Sequence, residues 1–118
     1  MTRVLEFTGP KAPKRFALCW ATLMAGGDGK GGERTREVIR KEARLQTAFE
    51  AISDLVASTN GTGAPERTLR EGTDLTLTLP QDEFDLLVGY SEKTQWNPMV
   101  SKDVVDLWDW FSTAEKRD

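Results

Sequence analysis

The amino-acid sequence predicts an α+β fold, mostly helical, with about four helices and a small antiparallel sheet of two to three strands. Three observations carry this. Apolar residues recur at helical spacing in several separate stretches. Leu75, Leu77 and Leu79 alternate with Thr76 and Thr78, the period-two pattern of a strand with one buried face. The N-terminal run Arg3–Phe7 is rich in strand formers and is stopped by Gly9-Pro10. The length of 118 residues suits a single domain, 1–118, around one core.

Taken in order, "RVLEF" is expected to be a short strand. Pro13 then stands where a helix can begin. In "KRFALCWATLMA" Phe16, Cys19, Leu23 and Trp20 fall at helical spacing, and Ala, Leu and Met favour a helix over the competing buried strand. A glycine-rich stretch near 25–32 follows and is expected to act as a flexible hinge. The best-defined element is "ERTREVIRKEARLQTAFEAISDLVAS". Here Val38, Leu45, Phe49, Ile52 and Val56 line one face of a helix that would extend about 40 Å at the usual rise per residue.

"STNGTGAPE" is expected to be a loop near 58–65. "RTLREGTDLTLTLP" reads as a hairpin turning at Gly72-Thr73, which with the N-terminal strand would make a three-stranded sheet. The alternating threonines leave one face of that sheet in water. Pro80 is preorganised to open the next helix, with Asp82, Glu83 and Asp85 in its first turn and Phe84, Leu87 and Val88 on its apolar face. Asn97-Pro98 ends it. Ser101 is expected to cap a last helix, with Val104, Leu107, Trp108 and Phe111 inward and Lys116 and Arg117 closing its C-terminal end.

Composition excludes several chemistries. Histidine is absent, which removes the commonest general base and a main transition-metal ligand. The single cysteine, Cys19, cannot form an internal disulfide and lies in an apolar run, where it reads as a small buried hydrophobe. One thiolate and carboxylates are a poor basis for zinc. The N-terminal residues lack the apolar core of a signal peptide, and the longest apolar run is too short to span a bilayer. A soluble, cytoplasmic protein is the expectation, so Asn60-Gly61-Thr62 reads as a turn and not as a glycosylation site. The net charge of −3 conceals an asymmetry: residues 1–48 balance at +5 and residues 49–118 at −8. Such polarity supports internal pairing, head-to-tail association, or two unlike partners.

Three stretches are candidate sites. "GGDGKGG", residues 26–32, matches G-x-G-x-x-G formally. It lacks the surrounding βαβ unit and the strict phosphate-loop spacing, so a hinge is the better reading. The basic helix start carries Lys30, Arg34, Arg36, Arg40, Lys41 and Arg44, which could track phosphates. Glu33, Glu37 and Glu42 are interspersed, as on an ordinary salt-bridged helix surface. The C-terminal segment combines Asp103, Asp106 and Asp109 with Trp110, and Trp96 precedes a loop. Tryptophan beside acids is a common interface arrangement.

No catalytic residue, cofactor or metal site is expected. The leading expectation is a non-catalytic protein–protein interaction or assembly module, acting on a protein partner or on itself as a homo-oligomer, with Trp96, Asp103, Asp106 and Trp110 at the contact. Size and charge style fit a small phage or mobile-element protein of a structural or inhibitory kind. The alternative is a nucleic-acid-associated protein using the basic residues at 30–44. A third reading makes the acidic half, through Asp103, Asp106 and Asp109, a decoy for a nucleic-acid-binding enzyme.

Overall fold

A computed structural model describes residues 1–25, 35–56, 66–69, 74–94 and 96–117. Along the chain these form β1 (Thr2–Phe7), α1 (Ala12–Ala25), α2 (Arg36–Ala51), β2 (Ser53–Val56), β3 (Glu66–Leu69), β4 (Leu75–Pro80), α3 (Gln81–Lys93), α4 (Ser101–Ser112) and β5 (Glu115–Arg117). A single 3-10 turn, Pro98–Val100, leads into α4. The protein is α+β and mostly helical, with four helices among the described residues. The glycine stretch 26–32, Lys30, Arg34, the Asn60 turn and Gly72-Thr73 lie outside the described residues.

The main sheet has the order β4-β1-β5, antiparallel throughout. Its register follows from the side-chain pattern. Leu5 stands opposite Leu77 and Phe7 opposite Leu75, so the apolar faces of the two strands coincide. A shift by one residue would turn every leucine to water. On that face Leu5, Phe7, Leu77 and Leu79 meet Phe16, Cys19 and Leu23 of α1, Leu45 and Phe49 of α2, Phe84 and Leu87 of α3, and Leu107 and Phe111 of α4 in one core. The centre is aromatic: Phe7 packs edge-on against Phe16 and Phe49, with ring centroids 5.9 and 6.1 Å away. On the opposite face Thr76, Thr78 and Glu6 are exposed, as the alternation requires, while Val4 is buried.

Four expectations need correction. First, the long helix ends at Ala51, not Ser58. The Ile52 N–H bonds back to the Phe49 carbonyl, and the Ser53 hydroxyl donates to the same carbonyl at 2.8 Å, closing the helix. Ser53, Asp54 and Val56 are weak helix formers, and their segment pairs with β3 as a two-stranded ribbon. Val56 therefore belongs to a strand.

Second, β3 and β4 are not paired as a hairpin. β3 is matched to β2, and β4 to β1, whose longer apolar face fits its three leucines. Third, Lys116 and Arg117 do not close a helix. Thr113 and Ala114 take the last helical carbonyls of Trp110 and Phe111, and the charged residues that follow run along β1 as a short edge strand. Charge on a short edge strand discourages pairing with other molecules. Fourth, the caps shift by one residue. Pro80 precedes the first turn of α3, and Ser101 is the first residue of α4, behind Val100. The capping side chain here is Asn97, which accepts from the Met99 N–H at 2.9 Å.

Candidate functional site

α4 is flanked by α1 on one side and by α3 on the other, and the two seams differ. Toward α1 it presents Asp103 and Asp106, one helical turn apart, and Trp110. Lys11, Lys14 and Arg15 lie opposite. Arg15 Nε donates to Asp106 Oδ2 at 3.1 Å, Lys11 Nζ donates to Asp106 Oδ1 at 3.0 Å, and Lys14 stands 3.7 Å from Asp103. Hydrogen bonds from Arg15, then from Lys11, hold the Asp106 carboxyl below its ordinary value of 3.8. The Arg15 guanidinium also lies 5.3 Å from the Trp110 ring centre. Trp110 is half-buried, 5.0 Å from the ring of Phe7 and stacked at 5.6 Å on Phe111.

Toward α3 the helix leaves an open groove of about 330 Å³, lined by Arg3, Phe84, Asp85, Val88, Glu92 and Trp108, with Phe111 and Ser112 completing it. Phe84, Val88 and Glu92, at intervals of four residues, share one side of α3 with Asp85, three residues before Val88. Trp108 is 39% exposed, although its indole N–H is anchored on the Ser91 hydroxyl at 3.2 Å. Arg3 reaches the groove from β1. Its guanidinium sits 4.8 Å from the Phe84 ring centre, and Nη1 donates to the Ala114 carbonyl at 2.8 Å. Its Nε is buried and has no hydrogen-bond partner among the described residues. Val105, one turn before Trp108, is 51% exposed, and Met99 projects from the 3-10 turn.

The predicted contact residues therefore separate. Asp103, Asp106 and Trp110 come together, but at an internal seam with α1. Trp96 is half-buried against the core, its N–H held by the Ser91 carbonyl at 2.8 Å. The exposed tryptophan of this region is Trp108, which the spacing had assigned to the buried face. A helical residue at the margin of an apolar stripe can face a neighbour or a gap, and composition does not distinguish these. Arg3 was also missed, because nothing in a strand sequence signals that a polar side chain near its start crosses to a helix seam.

Of the basic residues, Arg36, Arg40 and Arg44 are exposed along one stripe of α2 and form no ion pair among the described residues. Lys41 is half-buried between Glu37 at 3.6 Å and Asp82 at 3.5 Å, tying α2 to α3. Glu42 is buried and accepts a hydrogen bond from the Tyr90 hydroxyl. Burial, reinforced by neighbouring Asp82 and opposed by Arg44 and Lys41, raises the Glu83 carboxyl above its usual value.

Cys19 is fully buried, and burial drives its thiol far up from the ordinary value. A thiol that is neither ionised nor accessible is a poor nucleophile. Among the described residues no three acids or cysteines are grouped to hold a metal ion. No helix among them is long and apolar enough to cross a membrane. Set against protein-family models, curated proteins and solved structures, the chain matches none.

Proposed function

We propose that the chain is a non-catalytic protein–protein interaction module whose docking surface is the groove between α3 and α4. The observation that carries this is Trp108. Trp20, Trp96 and Trp110 are buried or half-buried in packing, whereas Trp108 is anchored by its N–H and leaves over a third of its side chain in solvent beside Phe84 and Val88. A tryptophan held rigid in this way loses little freedom on binding and is a favoured interface anchor. The assembly reading thus moves from the Trp96 and Trp110 pair to Trp108.

The test is affinity capture with immobilised protein, followed by titration of whatever is retained. Trp108→Ala is expected to weaken retention at least tenfold, while Trp96→Ala leaves it within a factor of two. Equal retention by the Trp108 variant would refute the assignment.

A second reading rests on the exposed stripe of Arg36, Arg40 and Arg44, which suits phosphate contacts. It predicts binding of a labelled oligonucleotide at low salt that weakens, with a shallower salt dependence, when all three are replaced by alanine. An unchanged titration in that triple variant removes it.

A further inference from the structure

Resting on the interaction reading above, we infer that the occupant of the α3/α4 groove is the exposed face of α2 from a second copy of this chain. Two surfaces are complementary. The groove is apolar at its walls, with Phe84, Val88 and Trp108, and acidic at its α3 rim, with exposed Asp85 and Glu92. The outer face of α2 is its converse: Ile39 is 48% exposed, with exposed Arg36, Arg40 and Arg44 beside it.

The spacing agrees as well. Asp85 and Glu92 are seven residues apart and so about 10 Å along their helix axis, while Arg36 and Arg44 are eight apart and so about 12 Å. Long arginine side chains absorb the difference and chelate carboxylates well. Ile39 lies between those arginines along the axis, where it can reach the Trp108 side of the groove.

The donor face and the acceptor groove are different surfaces of one molecule. Pairing between them is therefore head-to-tail, and it propagates into a ring or an open row of copies. Because the charged partners are exposed, the association weakens as salt rises.

The experiment is sedimentation velocity over a wide concentration range with four samples. They are the unmodified chain, a groove-reversed variant (Asp85→Lys with Glu92→Lys), a helix-reversed variant (Arg36→Glu with Arg44→Glu), and an equimolar mixture of the two variants. All four substituted positions are exposed, and circular dichroism confirms that each variant is folded.

The unmodified chain is expected to at least double its apparent mass with concentration and to revert in high salt. Each variant alone stays monomeric, since its two surfaces now carry like charge, and the mixture recovers the assembly. An unmodified chain that stays monomeric at every concentration overturns the proposal, as does assembly that both variants retain or that the mixture fails to restore. Failure of self-assembly alone is recognised by a monomer that still holds a captured partner in a Trp108-dependent way. Failure of the interaction reading is recognised by the loss of both.

Discussion

The two sides of α4 use the same kinds of residue to opposite ends. On the α1 side, a tryptophan and two aspartates meet three cations and an aromatic cluster, and the charges are matched within one molecule. On the α3 side, a tryptophan, two carboxylates and an arginine also gather, but a gap of about 330 Å³ separates them from full packing. Residue type is thus a poor guide to where an interface lies; what differs is whether the neighbouring element supplies the complement. Lys11, just before α1, and Lys14 and Arg15 within it stand in register with the aspartates, whereas α3 carries Asp85 and Glu92, which form no ion pair among the described residues.

The contrast is most strongly tested by comparing the two tryptophans. Trp110→Ala removes contacts with Phe7, Phe111 and Arg15 and is expected to destabilise the fold by about 3 kcal/mol, at the low end for a large aromatic because it is only half-buried. Trp108→Ala should cost less, about 2 kcal/mol, since over a third of its side chain is already in water and it loses one hydrogen bond. Urea denaturation of both variants checks the order, and equal losses would mean that the groove is as closely packed as the α1 seam.

A smaller effect is expected at Asp106. Its carboxyl titrates below the ordinary value in the folded chain because Arg15 and Lys11 bind the charged form. The stabilisation is therefore present above the unfolded-state value and is lost as pH falls through the lower, folded one. Asp106→Asn is expected to cost about 1 kcal/mol at neutral pH, a modest figure because solvent screens the pair, and to flatten the acid limb of the stability profile. Thermal melts across the acid range would show this. A variant with an unaltered acid limb would place the pairing outside the energetics of the fold.

The smallest effect runs in the other direction. Glu83, at the start of α3, is raised by burial, so protonation favours the folded state and the charged form opposes it. Its unfavourable contribution is full above the raised value and fades as pH falls through the unfolded one. Glu83→Gln is expected to raise stability at neutral pH by up to about 1 kcal/mol, with the gain disappearing in acid. A loss at neutral pH would mean that Lys41 and Arg44 outweigh desolvation at this position.

Much of this architecture is legible in local spacing. The period of Leu75, Leu77 and Leu79 places a half-buried strand, and the intervals from Phe16 to Leu23 and from Leu45 to Phe49 place two helices. What local spacing cannot carry is partner choice. The leucines of β4 fit any apolar strand, and only the competition between β1 and the shorter β3 decides the pairing. The end of α2 is hidden for a related reason: Ile52 and Val56 continue the helical interval, while the Ser53 hydroxyl and the pairing with β3 turn the chain into a ribbon. β5 is obscured because three exposed charged residues carry no periodic signal at all. At the site, the charge asymmetry foretold that the basic and acidic halves can pair. It did not indicate that Asp103 and Asp106 are engaged internally while Asp85 and Glu92 are left facing a gap.

The middle position of β1 has a consequence for how the molecule comes into being. During synthesis β1 emerges before every other described element, yet its two neighbours are among the later ones. The Arg3 to Ala114 hydrogen bond joins residues 111 positions apart. α1 and α2 can form from contacts within a few residues of one another, but the strand that the core is built on must wait. Until β4 and β5 arrive, Leu5 and Phe7 have no sheet to join and both edges of the strand are bare. Contacts so distant in sequence slow the search for the native pairing. The nascent chain therefore carries an apolar strand without its sheet neighbours until β4 and β5 have been made, and a folding helper that shields short apolar strands would act on β1 before then.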